Sequence, residues 1–238
     1  MRRHPTRPAG RGDTLGPRSV PISKPGGGTR WLTVLDPAAD AAYRAAVGPL
    51  VDRIERSLGP EVVAARARRG DAGWMLEPWG PARATWRSSI RRAILDAPGA
   101  TFAVADVRDC YASISPETIT ALLGPEAAHA VALLRRFREG GVRGLPVGPE
   151  PSAVLANAAL SRVDRAIRKT GVRHLRWVDD VVLWGSGDEV RTAMGAMRTA
   201  GEAVGLELHR DKTRILEDHE GAAAVLLGER DSSIIAAP

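Results

Sequence analysis

The run of apolar and polar positions divides this chain into helices and strands. Arg30 to Leu35 (RWLTVL) alternates with the two-residue period of a short strand, behind a glycine-rich turn at Gly26 to Gly28. Asp36-Pro37 then offers an N-cap with proline at the first helical position, and Ala42, Ala45, Ala46, Leu50 and Ile54 keep a helical period as far as Gly59. A second helix is predicted over Pro81 to Leu95. Thr101 to Val107 (TFAVADV) is nearly all apolar before its acid, as a buried central strand is. Helical material follows from Pro116 to Glu139 with a break at Gly124-Pro125, whereas GVRGLPVGPEPS (141–152) is punctuated too often to be regular. A helix is predicted over 152–169. Two short strands, HLRWV and VVLW, then meet at Asp179-Asp180. A helix from about Asp188 to Val204 and strands near LEL and RIL close the series, with no internal repeat. The order strand, helices, hairpin, helix, strand predicts an α+β lobe: an antiparallel, split βαβ-like sheet with helices on one face.

Composition narrows the class. A chain of 238 residues with 44% hydrophobic and 26% charged side chains is ordinary globular material, long enough to bury a core without staples. The single cysteine, Cys110, excludes a disulfide framework and any multi-cysteine zinc site. Lacking an eighteen-residue apolar run and a signal-peptide core, the chain is expected to be cytoplasmic with no membrane partner. Of its net charge of +6, residues 1–20 carry +4, through Arg2, Arg3, Arg7, Arg11 and Arg18 against Asp13. That Pro-, Gly- and Arg-rich segment reads as a flexible basic arm. Elsewhere the arginines cluster (Arg66, Arg68, Arg69; Arg87, Arg91, Arg92; Arg135, Arg136, Arg138), a pattern suited to phosphate or to a solvated helix face. Only Lys24, Lys169 and Lys212 are lysine, so each is worth separate thought. Lys169, at a predicted helix end, suits the helix dipole.

The acids bring chemistry into view. Asp106 ends the buried strand, and Asp179-Asp180 lie at the tip of an apolar hairpin. Carboxylates at apolar sheet edges are costly unless a cation compensates them. A polar β-turn explains Asp179-Asp180 on its own, although two-residue turns favour a glycine that is absent here. If the two strands are neighbours, the three carboxylates converge on a site suited to Mg²⁺. Two such ions clamp the attacking and leaving oxygens of an in-line phosphoryl displacement, in a nuclease as readily as in a polymerase.

Six strings, in order, identify a family resemblance. FAVADVRDCYASI is similar to motif A of reverse transcriptases, GLPVGPEPSAVLANAAL to motif B, RWVDDVVLW to motif C and GLELHRDKT to motif D. VLLG (225–228) resembles the primer grip, and SKPGGGTR the fingers motif. The resemblance implies fingers over 21–99 and a ferredoxin-like palm over 100–238 that follow the arm (1–20), with no room for a thumb. It implies that Asp106, Asp179 and Asp180 hold two Mg²⁺ ions, that Lys24 and Arg30 grip the triphosphate, and that Lys212 protonates the leaving pyrophosphate. Tyr111 would exclude a 2′-hydroxyl, while Gly144, Pro146 and Gly148 let backbone approach the nucleotide and template. Ser152 and Asn157 match polar positions of motif B, though an N-cap also explains Ser152. Val147 stands where the family has glutamine, and Trp177 where it has tyrosine or phenylalanine. LPVGPEPS most resembles the bacterial abortive-infection and defence branch. The expected activity is RNA-directed DNA synthesis in phage defence, using deoxynucleoside triphosphates, an RNA template, a DNA or protein primer, and a protein or RNA partner in place of the thumb. The alternatives are a template-independent DNA polymerase and a non-catalytic palm-fold subunit that binds nucleic acid.

Overall fold

The computed structural model describes residues 16–23, 27–71 and 73–227. The predictions made for Lys24, Gly26, Gly228 and residues 1–15 lie outside them. Strands β1 (Arg18–Ser23) and β2 (Thr29–Val34) form an antiparallel ribbon, Ser23 opposite Thr29. The strand at Arg18 begins inside the segment read as an unstructured arm. Helix α1 (Pro37–Val47) starts as predicted, with the Asp36 carboxylate accepting from the Ala39 amide at 2.9 Å. A 3₁₀ turn leads to α2 (Val51–Glu55). Next comes a second small ribbon, β3 (Ala67–Gly70) with β4 (Gly73–Leu76). Helix α3 (Trp79–Asp96) then leads to β5 (Thr101–Arg108). Beyond the short α4 (Cys110–Ser113), α5 (Pro116–Leu123) and α6 (Ala128–Glu139) flank the break predicted at Gly124-Pro125. Helix α7 (Glu150–Lys169) precedes the hairpin of β6 (Arg173–Trp177) and β7 (Asp180–Gly185). The last elements are α8 (Gly187–Glu202), β8 (Glu207–Leu208), β9 (Arg214–Leu216) and α9 (His219–Leu227).

Five of these strands make the central antiparallel sheet. β5 lies between β7 on one side and both β8 and β9 on the other, with β6 outside β7. Strand alternation divides its side chains between two apolar clusters. Ala103, Ala105, Val107, Val181 and Leu183 join the main core with α7, α8 and the helices before them. Phe102, Val104, Leu175 and Val182 face Trp86, Ile90, Ala93 and Ile94 of α3 and Ala222 and Leu226 of α9. Helices therefore cover both faces, not one as the element order implied. Helix α7 buries fourteen of its twenty residues, polar Ser152, Asn157, Ser161 and Asp164 among them, and leaves its charged C-terminal half only partly exposed, which makes it the internal strut of the lobe. Side chains as fully enclosed as Phe102, Leu155 and Leu160 stabilise the fold by roughly 1.5–3 kcal/mol each. Among the described residues no helix is long and apolar enough to cross a membrane.

Candidate active site

Antiparallel pairing brings the three acids together. Asp106 on β5 stands opposite Asp180 on β7, and Asp180 stands opposite Trp177 on β6. The two-residue turn is thus Val178-Asp179, and Asp180 is the first residue of its strand instead of part of the tip. The Val107 amide donates to the Asp179 carbonyl at 3.3 Å, tying the turn to β5. By strand alternation Asp106 and Asp180 leave the sheet on the side of Phe102, Val104 and Val182, the side bordered by α3. Trp177 lies on that side too, its ring 5.4 Å from Trp79 and 6.1 Å from Trp86.

The turn is strained. Val178 has φ of 55°, left-handed backbone in a position where a two-residue hairpin turn wants glycine. For a β-branched residue that conformation costs about 1–3 kcal/mol. Beneath it lies Arg176, wholly buried. Its Nη1 donates to the Val178 carbonyl at 2.7 Å and to Asn157 Oδ1 at 3.0 Å, and its Nε donates to Asp164 Oδ1 at 2.9 Å.

Electrostatics show a site short of positive charge. Burial raises the Asp179 carboxyl above its ordinary range, with the Asp106 charge adding to the effect and Lys212 and Arg30 opposing it. Asp180 is pushed up to about 8, first by burial and then by Asp179 and Asp106. Lys212, in the 3₁₀ turn Arg210–Lys212 between β8 and β9, donates from Nζ to Asp106 Oδ2 at 2.9 Å. Burial pulls its ammonium down, but the hydrogen bond and the acidic charges outweigh that and raise it. Asp106, Asp179, Asp180, Lys212 and Arg30 thus form one electrostatic group.

A strap of irregular chain, residues 141–149, ties α4 to β2. The Leu145 amide donates to the Tyr111 carbonyl at 2.8 Å, and the Thr33 amide donates to the Val147 carbonyl at 2.7 Å. Gly144, at φ 64°, passes so close to α4 that a Cβ would lie 2.4 Å from the Tyr111 carbonyl. Gly148, at φ 123°, is exposed and runs beside the Thr33 carbonyl. Tyr111 packs half-buried at the edge of the main core, and burial raises its hydroxyl. Ser152 and Asn157 point inward instead: Ser152 Oγ meets the Tyr43 hydroxyl at 3.1 Å, and Asn157 Nδ2 donates to the Ala65 carbonyl at 2.8 Å. Because α7 begins at Glu150, Ser152 is inside the helix and is not its N-cap.

Among the described residues no three metal-ligating side chains are gathered into a ready-made cage. The donor chemistry nevertheless fits a hard divalent cation: the acids supply only carboxylate oxygens, and their mutual repulsion is what such an ion relieves. Asp164 and Arg176 were missed from sequence. The signal was there: an arginine in the middle of an apolar strand requires a buried acid.

The sequence model of the family "Reverse transcriptase (RNA-dependent DNA polymerase)" matches residues 84–224, more than half the chain. Among solved structures, the chain is similar in fold to the telomerase of Candida albicans, determined in complex with a TWJ fragment of telomeric RNA. The TM-score is 0.51 at 12% identity, over 87% of this chain and 43% of that one. No curated protein matches.

Proposed function

Since the chain belongs to the reverse transcriptase family, we propose that it extends a primer on an RNA template by deoxynucleotidyl transfer. The observation that carries this reading is the pairing of Asp106 with Asp180 on adjacent strands, with Asp179 in the turn and Lys212 hydrogen-bonded to Asp106. In the reaction the primer 3′-oxygen bonds to the α-phosphorus of the nucleotide, and the bond to pyrophosphate breaks. Asp106 and Asp179 would hold Mg²⁺, two ions in all, with Asp180 beside them. Bound there, the metal activates the attacking oxygen and stabilises the charge that develops on the phosphate.

The chain's own groups do the rest. Arg30, close enough to Asp179 to act on its charge, steadies the triphosphate together with Lys24. Lys212 delivers a proton to the pyrophosphate oxygen as it leaves, which an ammonium can do and a guanidinium cannot. Tyr111 presents its ring against the sugar and rejects a 2′-hydroxyl by volume. Gly148 lets backbone come close to the incoming nucleotide.

The finer reading is service in bacterial phage defence, beside a protein or RNA partner. It rests on LPVGPEPS and on Val147, where the amide side chain of glutamine is missing while the backbone carbonyl is bonded to Thr33. That loss also favours a second reading, synthesis without a template, which sequencing of the products separates from the first.

Asp179→Asn tests the core of the proposal. It should lower primer extension by at least about 10³-fold, the scale of losing a group that stabilises the transition state, while the variant melts no lower than the parent chain. Retained synthesis by the variant would overturn the assignment.

A further inference from the structure

Arg176 is the largest wholly buried side chain among the described residues, and its guanidinium is fully engaged. Nε reaches both Asp164 oxygens, at 2.9 and 3.1 Å, and Nη2 reaches Asp164 Oδ2 at 2.9 Å. Nη1 spans two partners, Asn157 Oδ1 and the Val178 carbonyl. The backbone is clamped as well: the Arg176 amide donates to the Glu61 carbonyl at 2.8 Å, and the Val63 amide donates to the Arg176 carbonyl at 3.0 Å. Asn157 passes the connection on to the carbonyl of Ala65, another left-handed residue at φ 56°.

We infer that Arg176, anchored by Asp164 and Asn157 of α7, is a positioning residue that keeps Val178 left-handed and so sets where the Asp179 carboxylate stands. Stability alone does not account for the arrangement. Apolar residues of similar volume commonly replace a buried ion pair at no loss, so the charge pair is not what the core needs. What an apolar side chain cannot supply is a donor to the Val178 carbonyl. A left-handed valine persists only where its surroundings over-determine it, and the planar fork of arginine reaches carboxylate, amide and carbonyl at once in a way the point charge of lysine does not. Asp179 follows Val178 directly, so relaxation of that residue to ordinary φ would swing the carboxylate away from Asp106.

The kinetic part of this inference rests on the polymerase reading; the structural part does not. The test combines Arg176→Met and Arg176→Lys with Val178→Gly in the full chain, because glycine enters left-handed backbone unaided. R176M should lower kcat by about 100-fold, the scale of a misplacement near 1 Å, with KM for the nucleotide changed less than about threefold. Adding V178G to R176M should restore kcat at least about tenfold relative to R176M alone. In amide hydrogen exchange, the peptide carrying Val178 to Asp180 should exchange faster in R176M and return towards the parent rate in the double variant. If R176M does not fold, R176K, which keeps a charge beside Asp164, takes its place in both measurements. Effects that simply multiply, with no rescue by V178G in kcat or in exchange, would overturn the inference. A parent chain that synthesises no DNA would count against the polymerase reading, and the exchange data would still decide the role of Arg176.

Discussion

Lys212 and Asp106, 106 positions apart in sequence, are joined by a 2.9 Å hydrogen bond between ammonium and carboxylate. The bond places the counter-charge of the acidic group on the edge of β5 opposite the hairpin, in the gap between β8 and β9. Lys212 is half exposed while Asp106 is nearly enclosed, so the lysine is the partner that can leave.

Lys212→Arg separates charge from proton. The variant keeps an ion pair with Asp106 and should melt close to the parent, because a half-exposed pair contributes only about 0–1 kcal/mol. Its single-nucleotide incorporation rate should fall by about 10²- to 10⁴-fold, the scale of losing a general acid. The rate should also lose the alkaline decline that lysine deprotonation imposes. An unchanged rate would leave Lys212 as a counter-charge only.

Asp180 makes stability depend on pH. Its folded value of about 8 lies above the ordinary 3.8, so between those limits the folded chain keeps a proton that the unfolded chain has lost. Its contribution therefore falls as pH rises from about 4 to about 8 and levels off above that. Without metal at pH 8.5, Asp180→Asn should be more stable than the parent by about 1–3 kcal/mol, less than the full shift because the site can hydrate. The advantage should vanish near pH 4 and shrink when Mg²⁺ is added. Thermal melts across that range check it.

The strap glycines should not be equivalent. Alanine at Gly144 meets both positive φ and a carbonyl 2.4 Å from its Cβ, whereas at Gly148 the nearest atom is 3.4 Å away and only backbone strain remains. Gly144→Ala should cost about 2–4 kcal/mol and Gly148→Ala about 1–2 kcal/mol. Urea unfolding of the two variants measures the order, and a reversed order would mean the strap does not hold α4.

Tyr111→Ala should admit ribonucleotides at least about tenfold more readily relative to deoxynucleotides, since about 1.4 kcal/mol of lost steric rejection is a factor of ten. Single-turnover incorporation of matched ribo- and deoxynucleotides gives the ratio. Should the ratio stay constant, the ring serves only the core it packs against.

What was legible from sequence was local. The apolar run of β5, the cap at Asp36 and the Gly124-Pro125 break sit where patterning puts them, because each is decided by near neighbours. The ribbon of β3 and β4 was not legible. Its strands read Ala-Arg-Arg-Gly and Gly-Trp-Met-Leu with only Ala67 and Trp74 buried, so neither shows the apolar-polar alternation that marks a half-buried strand. The covering of the second sheet face by α3 escaped for a different reason: Trp86, Ile90 and Ala93 declare an apolar stripe but not the surface it meets. At the site, the acids stood out as isolated charges among apolar residues. The bond from Arg176 to Asp164 did not, since it depends on how β6 docks against α7 and not on spacing along the chain.

Between the half-strands β8 and β9, residues 209–213 bridge a gap whose two ends are each fixed on β5: Leu208 opposite Val107 and Arg214 opposite Val104. That makes the bridge tolerant of spelling and intolerant of length. Substitutions at Arg210 or Asp211 leave both ends seated, but one residue gained or lost would slide Lys212 off Asp106 while the sheet stayed whole. Drift in a lineage of such chains would therefore scatter letters through this segment and leave its count untouched, so that a frame-preserving deletion here could silence the chain while sparing its fold.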